Sequence, residues 1–459
     1  MNRSRKITPE EIKQIRNDSW KVLVGGISIN FILGSFYSWG AYSIYLSSYL
    51  KAIDHNVTSD SVAIIFPLMN ITMNSLIPFG EKIVAKSGLK SVVFYGVFLL
   101  SATFFVLSFI TNYYLILAIY VLVVGPLYGI LYLVPFSCSW KFFPLKSGEV
   151  NAILQAGYGV GSALFGFFSY LIVNYYNDYP KRTEYENGEN RVYFEECVSY
   201  NIPTMLRFFS IAFAILGLFS IIFLRNYNDA LLLSYQQYEM VKQKSIQQSP
   251  RTREKQKRMS PQQVCPTLKD GIKSKQFFQL LFFAIASSFF GYFAMAYYKT
   301  YGLIHYNNDQ YQTLLGCISF TFFGCSRYLW TKLISILEFK KSFYLILFAQ
   351  AALILIFQYF GSNLIVYDVS IFSLIFVQGG VFSWFSKFIP KVFGYKLTNQ
   401  IFGLILIGFA FSNLLMHLFI LVSLQNGMIN FSLVYILSIS SLTVVAIMYK
   451  FFDENPEFI

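Results

Sequence analysis

Residues 91–138, SVVFYGVFLLSATFFVLSFITNYYLILAIYVLVVGPLYGILYLVPFSC, contain no Asp, Glu, Lys or Arg. A hydrocarbon core about 30 Å thick takes about 20 apolar residues per helix, so this stretch reads as two membrane crossings joined by the short polar break TNYY. Extending the same test outward gives twelve spans, at 20–48, 60–84, 90–111, 113–138, 149–174, 204–224, 276–300, 311–336, 341–360, 364–388, 400–423 and 427–449. Composition agrees. The chain is 55% hydrophobic and 13% charged, whereas soluble domains are about a quarter charged, so lipid is the solvent for most of its surface. The expected fold is an all-α membrane protein with six spans on each side of one long polar segment. The expected layout is a tail at 1–19, a six-helix bundle at 20–224, a basic linker at 225–275, a second bundle at 276–449 and a tail at 450–459.

The formal charge of +13 lies in the breaks between spans and forms no single basic domain, which speaks for topology rather than nucleic-acid binding. Short loops rich in Lys and Arg stay cytoplasmic. Arg3, Arg5, Lys6, Lys13 and Arg16 in the tail, Lys82, Lys86 and Lys90 after span 2, and Lys340 and Lys341 after span 8 therefore predict both termini and the linker inside. The polar N-terminus is unlike a cleaved signal peptide, and span 1 is expected to act as the anchor. The linker stretch QQSPRTREKQKRMSPQQ, 247–263, reads as a flexible connector. The loop 175–203 then falls outside, as does the sequon Asn56-Val57-Thr58. The membrane itself, plasma or organellar, is not specified.

Five widely spaced cysteines and three histidines, His55, His305 and His417, show no metal-ligand spacing, and no phosphate-binding loop is present. No metal, cofactor or enzymatic reaction is implied. Secondary transport or facilitation remains, with a non-transporting receptor as the reading from another class. A lipid-modifying enzyme would need a His/Asp or Ser/His cluster that the sequence does not offer.

The segments GSFYSWGAYSIYL (34–46), YGILYLVPFSCSWKFFPLKSGEVNAILQAGYGVGSALFG (128–166), GCSRYLWTKLISILEFKKSFYLILFAQ (324–350) and FVQGGVFSWFSKFIPKVFGYKLTNQIFG (376–403) lie in corresponding parts of both halves. They resemble the major facilitator superfamily, and are similar to its oxalate/formate antiporter and monocarboxylate transporter branches. The resemblance implies two pseudo-symmetric six-helix bundles that rock around a midplane site. The chain departs from it in places. The loop GEKIVAKSGLK (80–90) has Ala85 where the superfamily's motif has an acid, and its echo has Ser335 where an Asp is usual. Phe409 and Ala41 stand where members of these branches carry a lysine.

A charged side chain inside a bilayer costs from about 2.5 kcal/mol upward, so one within a span is a functional candidate. Arg327 in span 8 is that candidate, and it is expected to be the only strongly basic side chain well inside a second-half span. The resemblance gives it the role of binding the substrate carboxylate, which its planar fork suits. Tyr37, Tyr42, Asn70, Asn74, Tyr128, Tyr132, Gln155, Tyr158, Tyr297 and Gln378 are expected to line a polar cavity, with His417 as a proton or polar relay. Lys86, Gly88, Lys90 and Lys141 are expected at a cytoplasmic gate. No span carries a midplane Asp or Glu. The partners implied are a small organic anion, the bilayer, and a proton or counter-anion, with a monomeric functional unit. An amino-acid or other organic-solute carrier is the alternative within the same fold. The glycines of span 5 are expected to let a neighbouring helix approach closely, and Pro67, Pro78 and Gly125-Pro126 to bend spans 2 and 4.

Overall fold

The computed structural model describes residues 7–143, 146–186, 189–225, 227, 229–246, 265, 267–306, 308–394, 397–425 and 432–454. Among the described residues the apolar runs are helices, six before the linker and six after it. Span 1 is Pro9–Gly34 continued by Trp39–Ile53, span 2 is Ser59–Ala63 continued by Ile65–Ser87, and span 3 is Leu89–Leu107. Span 4 covers Tyr113–Phe142 in pieces, span 5 Ser147–Val173 and span 6 Ile202–Phe223. Spans 7 to 12 are Lys275–His305, Asp309–Leu337, Phe339–Phe360, Leu364–Phe393, Thr398–Gln425 and Ser432–Lys450. Ten of these are long and apolar enough to cross a membrane on composition alone. Span 8 is long enough but carries Asp309, Arg327 and Lys332, and span 12 is short. Large apolar side chains such as Phe98, Leu122, Ile222, Phe348 and Ile436 point outward and exposed, a liability in water and the expected surface in lipid.

Local chemistry sets the helix boundaries. Thr8 and Glu11 form a reciprocal capping box at the start of span 1, with Pro9 in the first turn, where its missing N–H costs nothing. Span 1 breaks at residues 35–38, where the Ser35 and Ser38 hydroxyls donate to the carbonyls of Ile32 and Ser35. In span 4, Tyr120–Val124 is a π-helical turn directly ahead of Gly125-Pro126. Pro126 has no N–H, and its ring would meet the carbonyl of Leu122 in a regular helix; the wider turn relieves that clash.

The reversal between spans 2 and 3 is made by Gly88, with φ 82°. The equivalent reversal between spans 8 and 9 is made by Glu338, with φ 68° and ψ 164°, a region that costs a non-glycine residue about 1–3 kcal/mol.

The two halves meet backbone to backbone. A Cβ on Gly159 of span 5 would stand 2.5 Å from the Phe320 carbonyl oxygen and 2.8 Å from the Gly324 nitrogen of span 8. One on Gly40 of span 1 would stand 2.5 Å from the Met295 carbonyl oxygen of span 7. Side chains there would force the halves apart.

Between spans 5 and 6 the chain forms an antiparallel hairpin, β1 (Arg182–Glu186) and β2 (Glu189–Tyr193), with Arg182 opposite Tyr193. It docks on spans 1 and 2: the Phe194 N–H donates to Ser48 Oγ, and Arg191 pairs with Asp60 at 2.8 Å. Glu184 accepts from Lys51 at 3.0 Å and from Arg182. Burial pushes its carboxyl up, but the two cations outweigh burial and hold it below the ordinary glutamate value.

The linker is not wholly irregular. Asp229–Ile246 is a helix held to span 1 by an Arg16–Glu239 pair at 2.5 Å, while 247–263 lies outside the described residues.

Candidate functional site

A small cavity lies between the halves, walled by Phe36 and Tyr37 at the break in span 1, Asn70, Met73 and Asn74 of span 2, Tyr132, Tyr158, Tyr292, Arg327, Phe382, Leu406 and Phe409. Arg327 is 8% exposed. Its guanidinium lies over the rings of Phe323 at 4.6 Å and Phe382 at 4.9 Å, and Nη1 donates across the interface to Gln155 Oε1 of span 5. Aromatic faces return about 0.5–2 kcal/mol each to a cation, which does not replace a counter-charge. Among the described residues no carboxylate pairs with Arg327, and its Nε is buried without an acceptor. Asn74 Nδ2 donates to Asn70 Oδ1 at 2.6 Å, which fixes the Asn70 amide and leaves its own Nδ2 buried and unpartnered in the same cavity. The site therefore presents a permanent cation and further N–H donors, a set that matches an oxygen-bearing anion.

Of the residues expected at the site, the structure brings Tyr37, Asn74, Tyr132, Tyr158 and Arg327 together, with Gln155 behind Arg327. Tyr42 and Tyr128 are placed elsewhere, and the expectation for them is corrected. Tyr42 packs among Trp39 and Phe209 inside the first half, and the Tyr128 hydroxyl bonds Ser35 Oγ at 2.5 Å. Gln378 is also away from the cavity: it is buried in the second half, accepts from Gln350 at 3.3 Å and fills the space left by Gly291. Tyr297 lies in a different cavity, where its hydroxyl meets His417 Nδ1 at 2.5 Å. Lys86 and Lys141 are exposed, and Gly88 and Lys90 half-buried, at the end of the bundle that carries the linker. Tyr292 and Phe382, which no sequence argument singled out, complete the wall; aromatic residues are too common in these spans to stand out.

The sequence expectation that Arg327 is the only deep base of the second half is overturned by Lys299 of span 7. Lys299 is fully buried and 2.7 Å from Asp309, itself fully buried at the first turn of span 8. Lys299 Nζ also donates to Tyr45 and to Thr313 Oγ1, each at 3.0 Å. Tyr45 and Asn174 donate to Asp309 Oδ2, the latter at 2.7 Å. Tyr45 and Asn174 belong to the first half and the other three to the second, so this cluster joins the halves at the hairpin end. Lys299 falls at the edge of its predicted span and Asp309 in the predicted loop. The clue available in the sequence was a base and an acid ten positions apart across a short turn.

Two sets of six helices meeting around a central cavity define the class: a multi-pass membrane protein with transporter architecture. The chain belongs to the Major Facilitator Superfamily, whose family model matches residues 29–417. Among relatives, it is 29% identical over 161 residues to an uncharacterized MFS-type transporter, YhjX, of Escherichia coli K12. It is 21% identical over 220 residues to apicoplast pyruvate carrier 1 of Toxoplasma gondii. These matches cover 35% and 40% of this chain and only 38% and 40% of the relatives' own lengths. Among solved structures, the partially occluded inward-open xylose transporter XylE of E. coli aligns with a TM-score of 0.66 at 11% identity, over 96% of this chain and 98% of its own. The nucleoside transporter NupG aligns with a TM-score of 0.58 at 14% identity, over 93% and 98%. At such identities the likeness is one of fold.

Proposed function

We propose that the chain is an alternating-access carrier of small organic monoanions, with Arg327 pairing the substrate carboxylate. The observation that carries this reading is a buried guanidinium, held by two rings and one amide, that has no anionic partner among the described residues and has an unused Nε. A single cation in the cavity suits a monocarboxylate better than a dianion. The partial match to a relative named a pyruvate carrier supports the same class. The Lys/Arg asymmetry of the short breaks puts the linker end in the cytoplasm, so cargo passes between the hairpin end and that side. Lys86, Gly88, Lys90 and Lys141 stand where the cytoplasmic entrance forms. Among the described residues no Asp or Glu lines the central cavity, so a coupled proton would travel on the substrate or through His417. The Tyr and Asn hydroxyl and amide groups of the wall also fit a neutral polar solute, which is the second reading.

The test is uptake of pyruvate, lactate, formate and a neutral analogue into proteoliposomes. Arg327→Ala removes the partner of a buried charge, a loss of about 3–5 kcal/mol, and should abolish carboxylate uptake. Arg327→Lys keeps the charge but loses the fork and should restore only a minor part. Wild-type uptake of carboxylates by Arg327→Ala sinks the assignment, and preference for the neutral analogue favours the second reading.

A further inference from the structure

We infer that Asn413 and His417 of span 11 form a second carboxylate-binding site, at the hairpin end of the interface. The cavity there lies between spans 1, 2, 7 and 11 and shares no lining residue with the cavity around Arg327. The two are nonetheless continuous in sequence pattern. Leu406 and Phe409 line the central cavity, and Asn413, His417 and Ile420 continue the same stripe of span 11 at steps of three and four. A cargo leaving Arg327 along this stripe meets Asn413 one turn further on.

The polar atoms of that stripe are incomplete. Asn413 and His417 are each 1% exposed. With the Tyr297 phenol donating to His417 Nδ1, 2.5 Å away, the ring proton sits on Nε2. His417 Nε2–H and Asn413 Nδ2 are then two buried donors, neither with an acceptor among the described residues. Each such donor costs about 1–3 kcal/mol unless satisfied. They stand four residues apart on one helix face, so a group with two acceptor oxygens satisfies both. Arg191 and Asp60, paired at 2.8 Å, both line the same cavity, so its wall carries a guanidinium already matched by a carboxylate. An amine or other donor-only ligand would satisfy neither nitrogen, whereas a carboxylate offers an acceptor oxygen to each.

The inference rests on the carboxylate-carrier reading, and one binding experiment separates the two. Labelled pyruvate is titrated onto purified protein in lipid nanodiscs, with folding of each variant checked by melting and gel filtration. Wild type should bind two equivalents and Arg327→Ala one. In the Arg327→Ala background, Asn413→Leu and, separately, His417→Phe should weaken the remaining equivalent tenfold or more. Asn413→Asp, a smaller steric change, should weaken it through charge repulsion if either of those fails to fold. Nitrogen NMR supplies a readout that a structural role would not move. The chain has three histidines, and the Nε2 signal absent from His417→Phe should shift when pyruvate is added to Arg327→Ala. One equivalent in wild type and none in Arg327→Ala overturns the second site and leaves the first. Residual binding that ignores Asn413 and His417 also overturns it. Absence of binding to wild type overturns both.

Discussion

Changing Asp309 to Asn should destabilise the protein more than changing its partner Lys299 to Met. At 2.7 Å and an effective dielectric constant of 20, the pair attraction is on the order of 6 kcal/mol, an upper figure before desolvation is subtracted. Removing one member of a buried pair typically costs about 3–5 kcal/mol. The geometry places Asp309→Asn at the upper end. Tyr45 and Asn174 both donate to Oδ2, so the asparagine must turn its carbonyl to them and face its NH2 toward the Lys299 ammonium. Lys299→Met leaves the Asp309 carboxylate with those two donors and should cost less, about 1–3 kcal/mol. The double variant removes both charges and should recover most of the Asp309→Asn loss, because replacing a whole buried pair by groups of similar volume is often close to neutral. Denaturant unfolding of the four proteins in one detergent closes the cycle. Asp309→Asn as stable as wild type, or a double variant no better than Asp309→Asn, would show that the two charges are not coupled as drawn.

Glu338→Gly should stabilise the protein by about 1 kcal/mol, the relief of a positive φ less the entropy of glycine, read as a rise in melting temperature; a fall refutes the strain. Glu184 has a folded value depressed below 4.5, so its ion pairs contribute fully above pH 4.5 and are lost as pH falls through the depressed value. The protection factors of the hairpin amides, corrected for the intrinsic pH dependence of exchange, should therefore be flat above that pH and fall below it, and Glu184→Gln should abolish the dependence. Asp368→Asn and Glu149→Gln should leave substrate exchange in proteoliposomes intact, since Asp368 bonds Tyr311 away from the cavity and Glu149 is exposed; complete loss in a folded variant would make that acid essential.

The spans were legible because lipid imposes a length and a composition that a single sequence displays. The Gly-rich face of span 5 was legible for a similar reason: Gly157, Gly159 and Gly161 have little use in a helix except to admit a neighbour, and Gly159 and Gly161 admit the backbones of spans 8 and 1. Arg327 stood out as a charge amid apolar residues, and it does line the cavity. Which tyrosines join it was not legible. Tyr128 and Tyr132 share a face one turn apart, yet one bonds Ser35 and the other faces the cavity, because they stand at different heights along span 4, and those heights are set by packing and not by composition. Lys299 and Asp309 were passed over because charges near the ends of apolar runs usually belong to water, and only the meeting of the two halves buries them.

The wide turn at Tyr120–Val124 gives span 4 two phases. An i→i+5 turn holds one more residue than a regular one, and a residue is worth about 100° of rotation. Positions before the turn and after it are therefore out of step by more than a quarter of a revolution. Aligning span 4 with an uninterrupted helix of a relative can match the faces on one side of the turn only, and on the other each side chain is credited with its neighbour's direction. Removing one residue between Tyr120 and Val124 would bring the two phases together, turning Tyr113–Ile119 relative to Tyr132 without altering either sequence. A number in this span names a direction only together with the side of the turn on which it stands.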